Sequence, residues 1–430
     1  SVMSALAYYS PTFPINDYKN PDGTQRIFTP WIDNPRYNAE VSGLTQDTNR
    51  WIGNLNLNWA PAEWVNVNYT AQVDNYTEFK NRFVAPELDL GSKVNGSIIN
   101  QAKVYFGLES NLIVSFTKDW SDKFHSSFLV GNQITDFKRD YQWQRGEGFN
   151  IPHFNNMSNT ANRTAQNWTT QERLIGLFGE AKFDYDNILF LTIAGRNDWV
   201  STLPLDNNSF FYPSASLAWD MSRLFGENDF FSFGKLRGSY AEVGNGTTFG
   251  KTGLLGEQFY PASNFPWGNS GGLSTATQVG HADLKPERTK GWEVGADLRF
   301  FRNRLRFDYA YYVSDTYDAI FNVPLAYSTG LSRYTRNAGH YQTKGHELMI
   351  SGTVIQSKDF SWDLIYNFST NEGKVIDLPE DVNSMYFYGD GAPEVFLDLK
   401  EGDKMGTLYG YNWEYKDGQR FIDTDGYPNL

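Results

Sequence analysis

Apolar and polar residues alternate along much of the chain with a period of two. Between Val65 and Asp74 every second residue is apolar, and the residues between them are polar. Successive side chains of a β-strand lie on opposite faces, so this pattern predicts a strand with one apolar and one polar face. The same alternation returns at residues 292–300, 305–313 and 360–368. Each segment has the length of about ten residues that a tilted strand needs to cross a bilayer.

The alternation predicts about a dozen strands. They lie near residues 51–59, 65–74, 108–118, 123–134, 172–184, 188–198, 211–220, 234–243, 289–301, 304–316, 344–355 and 359–371, and a weaker one follows Met405. Short connections near 61–63, 119–122, 185–187, 302–303 and 357–359 alternate with long ones around 75–107, 135–171, 199–210, 244–288, 317–343 and 372–404. Transmembrane barrels have short periplasmic turns and long extracellular loops, which favours a barrel over a soluble β-sandwich or propeller. We therefore predict an all-β fold, a transmembrane antiparallel β-barrel.

Aromatic residues support the membrane interpretation. The chain contains 32 Phe, 26 Tyr and 13 Trp, which together make up 17% of its residues. Several fall close to strand ends beside the short turns: Trp59, Trp64, Trp120, Tyr185, Trp219, Phe300, Phe301 and Trp362. Amphipathic rings form the girdle of membrane barrels where hydrocarbon meets headgroups, although aromatic residues also end strands in soluble sheets.

Composition excludes several classes of protein. With 40% hydrophobic residues, the 430-residue chain has enough apolar surface to fold, which argues against a disordered protein. A mean hydropathy of −0.53 and the lack of any run of about 18 apolar residues argue against a membrane-spanning helix. The net charge of −13 argues against nucleic-acid binding. The absence of cysteine excludes disulfides, thiolate zinc sites and a cysteine nucleophile.

The sequence lacks motifs for catalysis and for strong metal binding. Its five histidines are scattered, and no Gly-x-Ser-x-Gly, His-Glu-x-x-His or phosphate-binding loop occurs. We predict no enzymatic activity and no cofactor. Asp423 and Asp425 stand in a stretch similar to a calcium loop, but a third ligand before Gly426 and a later Glu are missing. A polar turn is the preferred interpretation, and calcium binding is the alternative.

Several blocks of the sequence resemble the SusC/RagA family of TonB-dependent outer-membrane transporters. The blocks occur in the family's order and span most of the chain. They are Ala194-Gly195-Arg196-Asn197-Asp198, Tyr212-Pro213-Ser214-Ala215-Ser216-Leu217-Ala218-Trp219, Lys235-Leu236-Arg237-Gly238-Ser239-Tyr240 with Gly244-Asn245, Leu284-Lys285-Pro286-Glu287-Arg288-Thr289, Trp292-Glu293-Val294-Gly295, Phe301-Arg302-Asn303-Arg304-Leu305, Asn337-Ala338-Gly339 with Gly345-His346-Glu347, and Gly406-Thr407-Leu408-Tyr409-Gly410-Tyr411.

This resemblance implies a barrel of roughly 22 strands, of which residues 1–430 would supply roughly 12–13 as part of one barrel domain. A plug domain, a TonB-box segment and the final strands are not recognisable, so we expect them to lie outside this chain. The resemblance also implies a SusD-like surface lipoprotein as a lid, TonB acting through the plug, and outer-membrane lipid as surroundings. A dimer of transporter–lipoprotein pairs is one assembly that would fit it. The expected location is the outer membrane of a Bacteroidetes-type bacterium.

Aromatic residues beside polar ones in the long connections are candidate ligand contacts. An aromatic face next to Asn, Asp or Arg suits stacking on a sugar ring and equally on a peptide backbone. The alternative is that these residues pack the loops together or contact the lid protein. We predict ligand binding by Tyr141, Trp143, Arg145, Tyr260, Trp267, Asn269, Phe387 and Asp390.

The pattern and the resemblance together predict TonB-dependent import of a glycan or an oligopeptide. Two other functions stay open. One is a soluble or surface-attached all-β module that binds glycans, with its apolar strand faces buried against a second sheet. The other is a passive porin or adhesin barrel that needs no TonB.

Overall fold

The computed structural model describes residues 6, 9–10, 12–27, 32–88, 95–152, 154–224, 229–246, 259–261, 271–382, 384–388, 395–410, 412, 414–416 and 418–422. Its strands are β1 (Gly43–Ala62), β2 (Val65–Val84), β3 (Ser97–Ser121), β4 (Phe124–Phe149), β5 (Thr160–Tyr185), β6 (Leu189–Val200), β7 (Ser209–Asp220), β8 (Phe231–Asn245), β9 (Phe259–Pro261), β10 (Leu273–Thr275), β11 (Gln278–Gly280), β12 (Glu287–Phe300), β13 (Leu305–Tyr317), β14 (Ile320–Pro324), β15 (Arg333–Asn337), β16 (His340–Gln356), β17 (Ser361–Asp377), β18 (Met385–Tyr388), β19 (Val395–Leu399), β20 (Leu408–Gly410), β21 (Tyr415–Lys416) and β22 (Gln419–Arg420).

Twelve strands form one sheet in the order β1-β2-β3-β4-β5-β6-β7-β8-β12-β13-β16-β17. The pairings from β5 to β17 are antiparallel, and each strand lies beside the next long strand along the chain. The turn between β5 and β6 holds Asp186 and Asn187 at a φ of 55°. Asp and Asn tolerate this left-handed region better than other residues with a Cβ, so the sequence suits the tight reversal.

The remaining strands are short: β9, β10, β11, β14 and β15 lie in connections between long strands, and β18 to β22 follow β17. They form sheets of β9 with β10, of β11 with β15 and β14, of β18 with β19 and β20, and of β21 with β22. Helix α1 (Pro35–Val41) begins after Asn34, whose side chain accepts a hydrogen bond of 2.9 Å from the backbone N–H of Arg36. No helix in the described ranges has the length and the apolar character needed to cross a membrane.

The predicted strands and short turns are confirmed, but the extent of several strands was predicted wrongly. Strands β4 and β5 each contain 26 residues, so most of the segment 135–171, which was expected to be a long loop, belongs to these strands. Likewise β2 continues to Val84 and β3 begins at Ser97. Beyond the apolar segments the strict alternation of apolar and polar residues is lost, so the period-two signal disappears although backbone pairing continues.

One face of the main sheet carries an exposed apolar band, and we call it the band face; the opposite face is the polar face. Cross-strand register shows the band directly. Leu298, Phe307, Ile350 and Tyr366 stand side by side on β12, β13, β16 and β17, and Ala296, Tyr309, Leu348 and Phe368 form the next row. Apolar side chains exposed on the band face elsewhere include Trp51, Leu55, Trp59, Val130, Ile175, Leu177, Ile193 and Leu217.

The buried apolar clusters lie at strand ends and in connections, and not beneath the band. The chain divides into two compact units, the first made of Ser1–Leu57, Tyr69–Ser110 and Ile134–Arg173 and the second of the remainder. In the first unit the cluster is Tyr37, Phe83, Ala85, Leu88, Ile98 and Phe149. In the second unit one cluster is Val200, Leu203, Phe210, Leu284 and Ile320, and another is Val323, Ala338, Val375, Leu378, Val382 and Leu399. A two-layer sandwich would instead bury the band residues themselves.

Candidate functional site

Three aromatic rings stack across neighbouring strands on the polar face of the first unit. Tyr76 on β2 stacks with Tyr105 on β3 at a centroid distance of 4.9 Å, and Tyr105 stacks with Phe137 on β4 at 6.2 Å. Tyr141, four residues beyond Phe137, stacks with Trp168 on β5 at 5.0 Å and an interplanar angle of 14°. We call these five residues the aromatic ladder. Their alignment follows from strand register, because directly opposed and diagonal side chains on one sheet face are within reach of each other.

Two cations lie over the ladder. The Lys103 ammonium is 5.0 Å from the Tyr76 centroid and 5.7 Å from that of Tyr141, so it bridges the two stacks. The Arg139 guanidinium lies 5.6 Å from the Tyr105 ring. Such contacts are attractive because the ring faces carry partial negative charge. The ladder therefore combines flat apolar faces with positive charge.

Carboxylates frame the ladder. Asp74 on β2 accepts two hydrogen bonds from Arg50, at 2.9 and 2.7 Å, and Glu78 accepts one of 2.8 Å from Gln46. The surroundings of the rings are thus polar and charged, which is the chemistry expected of a water-lined surface and not of a packed core.

Of the eight predicted ligand contacts, the structure places Tyr141, Trp143 and Arg145 together on the polar face of β4. They lie on a strand, whereas the sequence predicted a loop. Arg145 forms an ion pair with Glu147. Tyr260 and Phe387 belong to β9 and β18, of which only the backbone is described. Trp267, Asn269, Asp390, Asp423 and Asp425 lie outside the described residues.

Four ladder residues were missed by the sequence analysis: Tyr76, Tyr105, Phe137 and Trp168. A signal was present, because Tyr76 and Tyr105 are aromatic residues at positions of the alternation where polar residues are expected. What no pattern supplied was the register that brings them together. Within the described residues no group of three or more His, Asp or Glu side chains could hold a metal ion.

A second polar-face cluster joins acids and arginines on β8, β12 and β13. Asp297 accepts hydrogen bonds from Arg299 and Arg306 at 3.1 and 3.0 Å, and Asp308 accepts from Arg306 and Arg237 at 3.0 and 3.1 Å. The Asp297 side chain is 11% exposed. These charges satisfy one another, which is a structural role.

Sequence blocks that carried the family resemblance meet in one place. The Asn337 side chain accepts a hydrogen bond of 2.8 Å from the Lys285 N–H and donates to the carbonyls of Lys285 and Asp318 at 2.8 and 2.7 Å. Glu287 accepts from the Ile320 N–H at 2.7 Å and from the Asn245 side chain at 3.1 Å. These bonds connect four segments that are distant in sequence, so the blocks describe a structural junction.

Known proteins resemble this chain in sequence and in fold. A family model described as TonB dependent receptor-like, β-barrel, matches residues 4–429. TonB-dependent receptor P3 of Formosa agariphila is 30% identical over 256 residues, covering 58% of this chain and 25% of that protein. TonB-dependent receptor SusC of Bacteroides thetaiotaomicron is 22% identical over 435 residues, covering 95% of this chain and 42% of that protein. The solved structure of the RagAB peptide transporter matches with a TM-score of 0.77 at 19% identity, over 92% of this chain and 42% of that chain.

The chain spans between 25% and 42% of the length of these two curated relatives. At 19% identity, the likeness to the RagAB structure concerns the fold. The family consists of outer-membrane transporters and not of enzymes, which confirms the predicted class and location. The apolar band is accordingly the surface that faces lipid, as the alternation predicted. This chain belongs to the family of TonB-dependent receptor β-barrels of the outer membrane, of the SusC/RagA type.

Proposed function

We propose that the protein to which this chain belongs imports a glycan or an oligopeptide across the outer membrane by a TonB-dependent mechanism. The observation that supports this most is the aromatic ladder on the polar face, in the strand halves that continue beyond the lipid-facing band. A barrel that only anchored the protein would need polar groups on its lumen side, but not a stack of rings bridged by cations. The similar RagAB structure is that of a peptide transporter, which supports the peptide class of cargo. The glycan class is supported by the aromatic and polar side chains of the ladder, which suit sugar rings equally well.

In this proposal the ladder is a wall along which the cargo moves. The rings, whose centroids are 4.9–6.2 Å apart, form a continuous row whose edges and uncovered faces can contact sugar rings or planar peptide groups. Lys103 and Arg139 add hydrogen-bond donors and positive charge to the same surface. Weak contacts repeated along a wall suit transport, because a cargo that is bound strongly at one site is released slowly.

The partners belong to the same proposal. A SusD-like lipoprotein would close over the extracellular mouth and hold the cargo, and two transporter–lipoprotein pairs would associate. TonB would use the inner-membrane proton gradient to pull on a plug and open the lumen. Trp143 and Arg145 would extend the cargo wall along β4, and the same role is proposed for Tyr260, Trp267, Asn269, Phe387 and Asp390.

The test uses the full-length protein in its own membrane. Cargo that is purified with the complex is identified by mass spectrometry, and its uptake by cells is then measured with a radiolabel. We expect uptake to stop when a protonophore collapses the proton gradient; unchanged uptake would contradict TonB dependence and favour a passive porin.

A pair of matched variants tests the ladder. Tyr76→Ala removes one ring from the polar face, and Phe79→Ala removes an exposed ring from the band face of the same strand. We expect Tyr76→Ala to weaken cargo binding about fivefold, since an aromatic contact contributes about 1 kcal/mol. Phe79→Ala should leave binding within about twofold. Equal effects of both variants would remove the ladder from the proposed cargo path.

A further inference from the structure

A polar groove interrupts the border of the apolar band on β16 and β17, at the end of these strands away from their short turn. It has a volume of about 240 Å³, and its lining includes Tyr311, Lys344, His346, Thr370 and Glu372. Two rows cross β12, β13, β16 and β17 at this level. One row is Val294, Tyr311, His346 and Thr370, and the next is Trp292, Val313, Lys344 and Glu372. The band thus stays apolar on β12 and β13 at the level where β16 and β17 are already charged.

The position of the groove next to lipid determines which class of ligand it can bind. Trp292 and Val294 are 43% and 48% exposed on a face that contacts lipid. Lys344 and His346 therefore lie next to the outermost part of the acyl chains, where lipid headgroups begin. A basic side chain there is stabilised by reaching an anionic headgroup, and basic pockets at this level are the usual binding sites of anionic lipids.

The histidine is held in a defined orientation. Its Nδ1 is 2.8 Å from the Tyr309 hydroxyl oxygen, and its ring lies 4.8 Å from the ring of Tyr311. A ligand would accordingly meet Nε2. Two tyrosines that orient one imidazole beside a lysine make a preorganised surface for an oxyanion, because charge-assisted hydrogen bonds to phosphate are strong.

Local charge also favours an anion, against a chain total of −13. The acids at this border have partners: Glu372 pairs with Lys404 at 3.2 Å, and Asp315 accepts hydrogen bonds from His340 and Gln342, both at 2.9 Å. Lys290 and Lys374 occupy the next row outward, together with Asp315 and Gln342. The groove is thus surrounded by lysines, and the repulsion that its acids would exert on an anion is reduced.

From this arrangement we propose that the groove binds the phosphate headgroup of a phosphorylated lipid of the outer leaflet, with Lys344 and His346 contacting the phosphate. The acyl chains of that lipid would lie along Val294, Tyr311 and Leu348. The function of such a site is to fix an ordered lipid at one place on the barrel wall.

The proposal is tested on delipidated, detergent-solubilised full-length protein by native mass spectrometry with monophosphoryl lipid A. We expect the double variant Lys344→Gln/His346→Gln to bind it at least about tenfold more weakly than the wild type, since two hydrogen bonds to a charged group are lost. Lys344→Arg should keep the affinity. The control is Lys138→Gln on the band face of β4, which should change the affinity by less than about twofold.

Two further measurements identify the source of the bound phosphate and show whether the double variant is folded. If the dephosphorylated lipid binds as tightly as the phosphorylated lipid, or if the double variant binds normally, the proposal is overturned. Inorganic phosphate that displaces the lipid at equal concentration would mean a free-anion site and would also overturn it. An unchanged thermal midpoint of the double variant shows that its loss of binding is not a loss of folding. Cargo uptake takes no part in these measurements, so failure here leaves the proposed transport untouched.

Discussion

The border of the apolar band at the strand ends away from the short turns is built differently on β4–β5 and on β16–β17. On β4 and β5 the band-face positions after Ile134 and before Ile175 are filled by a closed set of partners. Asp136 accepts hydrogen bonds of 2.7 Å from both Gln171 and Arg173, and Asp140 accepts one of 2.6 Å from Thr169 and pairs with Lys138 at 3.1 Å. On β16 and β17 the corresponding positions hold Lys344, His346 and Lys374, with acids that are already paired.

The difference shows that the same alternation can end in two kinds of surface. Where the acids accept hydrogen bonds from the neighbouring strand, as Asp136 and Asp140 do, the border contributes to holding the strands in register. Where cations exceed their local partners, the border contributes less to the sheet and presents charge to its surroundings. We therefore expect substitutions to affect stability on β4–β5 and lipid binding on β16–β17.

The largest expected effect is on the free energy of unfolding, when a charge placed in the band is compared with one placed at its border. Ile350→Lys places a charge in a row with Leu298, Phe307 and Tyr366, and it should lower the free energy of unfolding in lipid vesicles by about 2–4 kcal/mol. Gln342→Lys, on the same strand at the border, should cost at most about 1 kcal/mol. Denaturant unfolding followed by tryptophan fluorescence measures both. Equal costs would mean that the band ends elsewhere on β16.

A smaller effect separates the two borders. Asp136→Ala leaves Gln171 and Arg173 without their shared acceptor and should lower the free energy of unfolding by about 1 kcal/mol. Lys344→Ala should change it by less than about 0.5 kcal/mol. The same unfolding assay applies. If Lys344→Ala is the more destabilising variant, the assignment of a structural role to one border and a binding role to the other is wrong.

The smallest effect is a pH dependence on β4. A hydrogen bond from Thr169, together with Lys138, lowers the pKa of Asp140 from its ordinary value of 3.8. A carboxyl with a depressed pKa stabilises the folded state above its unfolded pKa, and this contribution is lost as the pH falls through the folded value. The thermal midpoint of the wild type should exceed that of Asp140→Asn at pH 7, and the gap should close below about pH 4. A gap that persists at lower pH would contradict the ionised pair.

Much of the fold follows from local pattern. The positions of Trp292, Leu298 and Phe307 in the alternation predict an apolar strand face, and register places Leu298 directly beside Phe307 with Trp292 on the same face of β12. The turn residues Asp186 and Asn187 predicted a tight reversal that the structure contains. These predictions succeed because face alternation and turn conformation depend on residues only a few positions apart.

The candidate site was only partly predictable. Tyr141 was identified, yet its place on β4 and its contact with Trp168 were not. The residues of the ladder are separated by about 30 positions from one strand to the next, and a shift of one residue in any pairing would send a ring to the other face. The sequence predicts loops for the outer halves of β2 to β5, because their strand structure depends on backbone pairing with neighbours and leaves no apolar period.

By itself the sequence determined that the chain is all-β, that its strands carry one apolar and one polar face, and that it belongs with SusC and RagA. Those properties are local or are carried by short blocks such as residues 284–287 and 337–339, where hydrogen bonds to distant segments constrain the identity of Glu287 and Asn337. Only the tertiary structure decided which aromatic residues form the ladder and where the band border becomes basic. Both depend on the register between strands, a long-range property that no single segment of the chain carries.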